Sequence, residues 1–301
     1  DMDAGYMEFR KSLNGLWKFH YARNYGMTIK GFESPEYSCD SWEDIRVPAH
    51  IQMEGYDAPQ YANTQYPWEG HDQILPGEIP AYHNPVASYV RYFTVPENMK
   101  GRRLFISFQG AESGLALWLN GTFIGYSEDS FTPSEFELTG QITDGENKLA
   151  VQVFKWTSSS WCEDQDFYRF SGIYRDVYLY TIPELHVQDL LIRAVPDASL
   201  RTASLDIRLQ MQSDADGLSG KALFRLALNG KNIFEDEKDL AREVSYRREI
   251  EAPILWSAET PVLYDLTIEI RRAGGQLVEI IPEKIGFRRF ELKDRIMTLN
   301  G

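Results

Sequence analysis

The chain alternates apolar and polar positions with a period of two, the signature of half-buried strands, and this rhythm dominates its length. Residues 88–95 (SYVRYFTV) and 103–109 (RLFISFQ) are rich in aromatic and β-branched side chains. Residues 115–126 (LALWLNGTFIGY) predict a hairpin, with Leu115, Leu117 and Leu119 alternating before Asn120-Gly121 and Phe123-Ile124 returning after it. Asn-Gly tolerates the positive φ angles that a tight two-residue turn requires. Residues 148–157 (KLAVQVFKWT) and 173–182 (IYRDVYLYTI) continue the pattern, and no sustained helical period occurs in the first 180 residues. Two stretches, 34–40 and 48–84, read as long loops dense in Pro, Gly, Asn, Tyr and Trp. Loops of that length in a compact domain cap a surface or carry function.

Pro183-Glu184 marks a boundary, after which shorter and more regular units follow. Residues 204–212 (SLDIRLQMQ) alternate cleanly. Residues 222–234 form a second hairpin about Asn229-Gly230, and strands are predicted at 244–250, 264–271, 285–292 and 296–299. Turn signals every ten residues or so, without a cysteine pair, indicate an immunoglobulin-like β-sandwich. The chain is therefore read as all-β in two domains.

Composition narrows the function classes. The 301 residues are 43% hydrophobic and 13% aromatic, enough for two real cores. A formal net charge of −14 opposes a nucleic-acid groove and an anionic membrane surface, both of which need clustered Lys and Arg. No apolar run approaches the roughly 20 residues of a membrane helix. Cys39 and Cys162 have no metal or redox spacing and read as free, buried or half-buried thiols in a reducing compartment. The opening DMDAGYMEF is not a signal peptide, and the acidic balance leans to the cytoplasm.

The densest chemistry lies at 161–177 (WCEDQDFYRFSGIYRDV), where Glu163, Asp164, Asp166 and Asp176 sit among Trp161, Phe167, Tyr168, Phe170 and Tyr174. Carboxylates beside aromatic rings suit a polyhydroxylated ligand, because the acid accepts hydroxyl hydrogen bonds and the ring covers apolar sugar faces. A charged turn packed on a core explains the same composition. Glu163 with Asp166, or Glu128 with Asp129, supplies two acids, yet neighbours in one loop rarely meet the spacing and split pKa values of a glycosidase pair. Binding a hydroxyl, or lending an oxygen to a cation, is the role that fits. Residues 54–68 (EGYDAPQYANTQYPW) are the second candidate: Tyr56, Tyr61, Tyr66 and Trp68 are placed to stack and Asn63 to bond vicinal hydroxyls, against a loop that packs its own aromatics. Of the five histidines, His50 and His83 lie in these long loops. No nucleophile elbow, phosphate loop, dinucleotide fingerprint or zinc spacing is present.

Residues 13–21 (LNGLWKFHY), 47–67 (VPAHIQMEGYDAPQYANTQYP), 117–138 (LWLNGTFIGYSEDSFTPSEFEL) and 163–177 (EDQDFYRFSGIYRDV) together resemble the amino-terminal region of the large bacterial β-galactosidases of glycoside hydrolase family 2. Residues 255–266 (LWSAETPVLYDL) and 285–292 (IGFRRFEL) resemble the domain that follows it. The resemblance implies a jelly-roll, galactose-binding-like β-sandwich over 1–183, an immunoglobulin-like sandwich over 184–296, and at 297–301 the start of a connection to a TIM barrel that the chain does not contain. In the family that barrel carries both catalytic glutamates and the magnesium ligands, so the chain is expected to be an inactive excised piece of a retaining β-galactosidase. By the same resemblance, Asp166 binds sugar hydroxyls and helps ligate sodium, and Asn63 contacts the bound galactose. Glu163 and Asp164 are assigned by default to salt bridges with Arg169 or Arg175. The implied partners are the β-galactoside, through the complete enzyme, and the chain's own barrel; self-association into a homo-oligomer is left open. The competing readings are a free-standing carbohydrate-binding module and purely structural domains of another family 2 β-glycosidase.

Overall fold

The computed structural model describes residues 9–63, 68–70, 72–75, 77–78, 80–163, 166–213 and 218–301. The chain divides between Ile182 and Pro183 into two units.

In the first unit, a six-stranded antiparallel sheet runs in the order Glu43–Val47, Gly15–Ala22, Val86–Thr94, Glu146–Phe154, Gly114–Leu119, Thr122–Ser127. A four-stranded sheet runs Arg10–Ser12, Val177–Ile182, Arg103–Phe108, Ser134–Glu137. Inward residues of both sheets, among them Trp17, Tyr89, Leu117 and Val151 from one and Ile106, Phe108 and Leu179 from the other, form one core. The two central strands of the larger sheet are buried on both faces, because a second cluster of Phe32, Cys39 and Trp42 covers Val90 and Ala150 from outside. The stretch 34–40 is thus a cover for the sheet. Lys148 holds it down, its buried ammonium donating to the Ser34 and Tyr37 carbonyls at 2.6 Å each.

The second unit is a seven-stranded sandwich. Leu185–Pro196, Thr202–Ser213 and Glu243–Glu251 form one sheet; Lys231–Asp239, Gly220–Leu228, Tyr264–Arg272 and Leu277–Ile285 form the other. Its core interdigitates Leu205, Ile207 and Leu209 with Phe224, Leu226 and Ile268. Phe224 stacks on Tyr246 with ring centroids 4.4 Å apart and planes within 8°. A terminal hairpin, Phe290–Lys293 with Ile296–Leu299, follows.

Both Asn-Gly turns form as read, with φ of 50° and 83° at Asn120-Gly121 and 49° and 77° at Asn229-Gly230. The predicted strand at 173–182 breaks instead: Tyr174 and Arg175 give their backbone N–H groups to the Gly110 carbonyl, and the ladder resumes at Val177. The predicted strand at 285–292 is split because Phe287 is fully buried, edge-on to Tyr264, with its carbonyl taken by Trp256 N–H. Leu185–Pro196 was not foreseen; its Leu-Leu pair and a bulge between Val187 and Asp189 blur the alternation. Both cysteines are free, but only Cys39 is buried; Cys162 is exposed, on the four-residue helix Ser160–Glu163. Among the described residues no helix is long and apolar enough to cross a membrane.

Because Phe224 is fully buried and stacked, Phe224→Ala is expected to cost about 3–5 kcal/mol. Urea denaturation followed by Trp fluorescence checks this; a loss under 1 kcal/mol would contradict the packing described.

Candidate functional site

The two sequence candidates, the loop after Val47 and the segment 163–177, prove to be partners along one seam. Ala49 N–H donates to the Ile173 carbonyl at 2.8 Å and Ile51 N–H to that of Ser171 at 2.9 Å. The Gln52 amide then clasps Ser171 twice, donating to its hydroxyl at 2.9 Å and accepting its backbone N–H at 3.0 Å. Further on, Gln60–Ala62 pairs antiparallel with Phe167–Arg169, in the register Ala62 to Phe167, Tyr61 to Tyr168 and Gln60 to Arg169. Gly172 stands where the seam is tightest. Its φ is +112°, and an added Cβ would lie 3.0 Å or less from the Tyr89 hydroxyl, the Ala49 carbonyl and Ile51. Only glycine enters that backbone region without strain.

A buried ion pair fixes the loop strand. Lys155 Nζ lies 2.5 Å from Asp57 Oδ2, with side-chain exposures of 1% and 9%, and it also reaches the Ala58 carbonyl at 3.2 Å. Asp57 accepts from Gln52 as well, at 3.0 Å. Tyr56 packs on Phe19 at 4.6 Å and donates to Glu43 at 2.6 Å. Trp68 is 2% exposed and packs against Trp156 and Trp161. Tyr56 and Trp68 therefore build the loop rather than offer a stacking face, which corrects the sequence reading for both. Tyr61 and Tyr168 are the exposed rings, 5.3 Å apart on neighbouring strands.

Asn63 and Asp166 extend the same register by one step, since Ala62 faces Phe167. Both are exposed. The Tyr61 phenol joins them: it donates to Asp166 Oδ1 and also meets the Asn63 side chain. Its pKa is raised, chiefly because ionising it would break the bond to Asp166, with the Asn63 contact acting the other way. The result is an amide, a phenol and a carboxylate side by side on an exposed two-strand ladder. From sequence Tyr61 reads only as a stacking ring, and the three residues Gln60–Ala62 are too short a run to mark a strand.

The other acids do structural work. Glu163 accepts the Ser130 hydroxyl at 2.9 Å. Arg175 spends its guanidinium on the Phe131 carbonyl at 2.8 Å and more distantly on that of Gln109, so it does not serve as the assigned partner of Glu163. Asp164 lies outside the described residues, as do Tyr66 and Gln165. Glu128 takes the Ser158 hydroxyl, the Ser159 N–H and the Tyr126 hydroxyl; partial burial opposes its ionisation, but these donors together hold its pKa low. Asp129 caps its own turn through Phe131 and Thr132. His50 stacks on Tyr174, 5.0 Å away with planes within 10°, and burial lowers its pKa. His83 packs on Trp156. Among the described residues no three His, Cys, Asp or Glu side chains gather as a metal site.

Residues 10–183 match the family model described as the sugar binding domain of glycosyl hydrolases family 2, and residues 185–288 match a second, described as glycosyl hydrolases family 2. The chain is 51% identical over 296 residues to a β-galactosidase of Halalkalibacterium halodurans, covering 98% of this chain and 29% of that protein. It is 47% identical to a β-galactosidase of Clostridium acetobutylicum, covering 97% of this chain and 33% of that protein. It is 42% identical to a β-galactosidase large subunit of Leuconostoc lactis, covering 97% of this chain and 49% of that protein. The chain thus spans between 29% and 49% of the length of these relatives. In fold it is similar to a β-glucuronidase of Bacteroides uniformis, with a TM-score of 0.77 at 22% identity over 97% of this chain and 34% of that one.

Gly172→Ala is expected to cost about 2 kcal/mol or more, since the new methyl meets both strain and contact. Thermal unfolding of the chain measures it, and an unchanged midpoint would remove the seam's claim to be tight.

Proposed function

The chain belongs to glycoside hydrolase family 2, and on that premise we propose that it is the non-catalytic amino-terminal region of a retaining β-galactosidase, acting on terminal non-reducing β-D-galactosides such as lactose. What supports the reading is the joined trio Asn63, Tyr61 and Asp166, present on a chain so similar to proteins named β-galactosidase. Retaining hydrolysis uses two carboxyl groups about 5 Å apart, one as acid and base and one as nucleophile. We assign both to the part of the enzyme that this chain does not span. The chain's own contribution is orientation. The Asp166 carboxylate accepts sugar hydroxyl hydrogen bonds, the Asn63 amide donates and accepts, and Tyr61 and Tyr168 present ring faces at the same edge.

Sodium belongs to this reading. The residues fit it: Asp166 is an exposed, hard anionic oxygen donor, and its neighbours Tyr61 and Asn63 are neutral oxygen-bearing groups, which suits a cation of low charge. Bound there, the ion would offer further coordination to sugar oxygens, with its remaining ligands and those of magnesium supplied by the rest of the enzyme. Two free thiols, one of them exposed, fit a reducing compartment such as the cytoplasm. Association with further chains, as the name of the Leuconostoc lactis relative indicates for that protein, is part of the same proposal.

The test uses both the complete enzyme and this chain. In the complete enzyme, Asp166→Asn is expected to lower kcat/KM on a chromogenic β-galactoside about 100-fold, with little change in thermal unfolding because the side chain is exposed. The chain by itself is expected to give no turnover above buffer. Full activity of the Asn variant would reduce the first unit to a structural support, and turnover by the isolated chain would overturn the non-catalytic assignment.

A further inference from the structure

Behind the exposed ladder lies a second buried charge contact. Glu112 and Arg169 approach to 3.8 Å with side-chain exposures of 7% and 3%. Glu112 Oε1 has no hydrogen bond of its own. Burying a carboxylate against a guanidinium without a hydrogen bond between them is expensive, and an apolar pair of similar volume would serve stability as well or better. What a pair of this kind can contribute is a fixed relation between the two segments that carry it.

What it positions is visible in the register. Arg169 is the last residue of Phe167–Arg169, opposite Gln60, the residue before Tyr61, and it lies three residues from Asp166. Glu112 belongs to the short strand Ala111–Glu112, whose backbone pairs with Gly172–Ile173. Glu112 therefore grips the segment 169–172 twice, through its backbone at Gly172 and through its carboxylate at Arg169. The segment is held between those points as well, since Ser171 is clasped by Gln52 and Gly172 is packed so closely on Tyr89, Ala49 and Ile51 that no Cβ fits. Movement of Arg169 would be carried along the strand to Asp166 and across it to Tyr61.

We propose that Glu112 is a positioning residue for the sugar-binding groups, holding Asp166 and Tyr61 in place through Arg169. The inference rests on the reading of Asn63 and Asp166 as sugar-binding groups. It also has a pH signature. Burial pushes the Glu112 carboxyl up to about 7; Arg169 and Lys155 favour its ionised form, and Glu163 opposes it. Tyr174 also faces it, as a neutral phenol. Above pH 7 the carboxylate is ionised and holds Arg169. As pH falls through 7 it takes up a proton, the ionic contact lapses, and the ladder loses that anchor.

The experiment measures kcat and KM for a chromogenic β-galactoside from pH 6 to 8 in the complete enzyme, for wild type, Glu112→Gln, Glu112→Asp and Asp166→Asn. Wild-type KM is expected to rise as pH falls from 8 to 6. Glu112→Gln is expected to show KM raised about tenfold at pH 8, with a shallower pH dependence across the range. Glu112→Asp, which keeps the charge, is expected to retain a pH-dependent KM, and it carries the test should the Gln variant fail to fold. If Asp166→Asn impairs the enzyme while the Gln variant's KM profile superimposes on wild type, or the Asp variant's KM is flat with pH, the inference fails and the sugar-site reading stands. If Asp166→Asn leaves kcat and KM unchanged, both fail.

Discussion

The contact between Lys155 and Asp57 is the constraint on which the exposed edge of the first unit depends. Both groups are almost wholly withdrawn from water, so neither tolerates loss of the other: a lone buried charge costs several kcal/mol, far more than the pair contributes as a pair. Lys155 directly follows the central strand Glu146–Phe154, the best-buried element of the larger sheet. Asp57 sits three residues before the loop strand Gln60–Ala62. The pair therefore ties a long irregular stretch to the end of that buried strand, and it does so where the backbone has no ladder of its own.

Around that tie the sandwich and the seam divide the labour. The two sheets of the first unit bury a continuous apolar core, to which the seam contributes Ile51 and Ile173. Beyond those two side chains the seam is held by single polar bonds: amide to hydroxyl at Gln52 and Ser171, carbonyl to N–H at Ala49 and Ile51, and the ion pair. Polar networks of this kind specify one geometry rather than add stability, because each member is satisfied only when all are in place. That is the property needed of a surface that must hold an amide and a carboxylate in fixed relation.

The sandwiches were legible because alternation, β-branched residues and Asn-Gly turns are local signals, and each of them was borne out in the hairpins at Asn120 and Asn229. Strands failed to be read where tertiary demands override period. Phe287 leaves the expected strand to fill the second core, and Tyr174 to Asp176 leave theirs to bond Gly110 and Asn14. Asn63 and Asp166 are singled out only through resemblance, since acid and amide beside aromatics suit many loops. That they are brought together by Tyr61 could not be read, because the pairing of residue 62 with residue 167 spans more than a hundred positions and leaves no local trace. Glu128 and Asp129 show the converse: paired acids in sequence became a cap and a turn once the nearby donors were folded against them.

The phenol of Tyr61 has a consequence for affinity. Asp166 already accepts a hydroxyl supplied from within the chain. A carboxylate offers about four acceptor sites, so on the proposed reading a ligand hydroxyl that takes the phenol's site on Oδ1 exchanges with it, whereas one that reaches Oδ2 adds a bond. A molecule with several hydroxyls, disposed to reach Oδ2 and Asn63 together while a ring face is covered, would then gain more than one with a single hydroxyl, since each hydrogen bond adds only modestly against water. On that reading the donor already in place would tilt the edge toward ligands that bring several hydroxyls at once and away from simple alcohols.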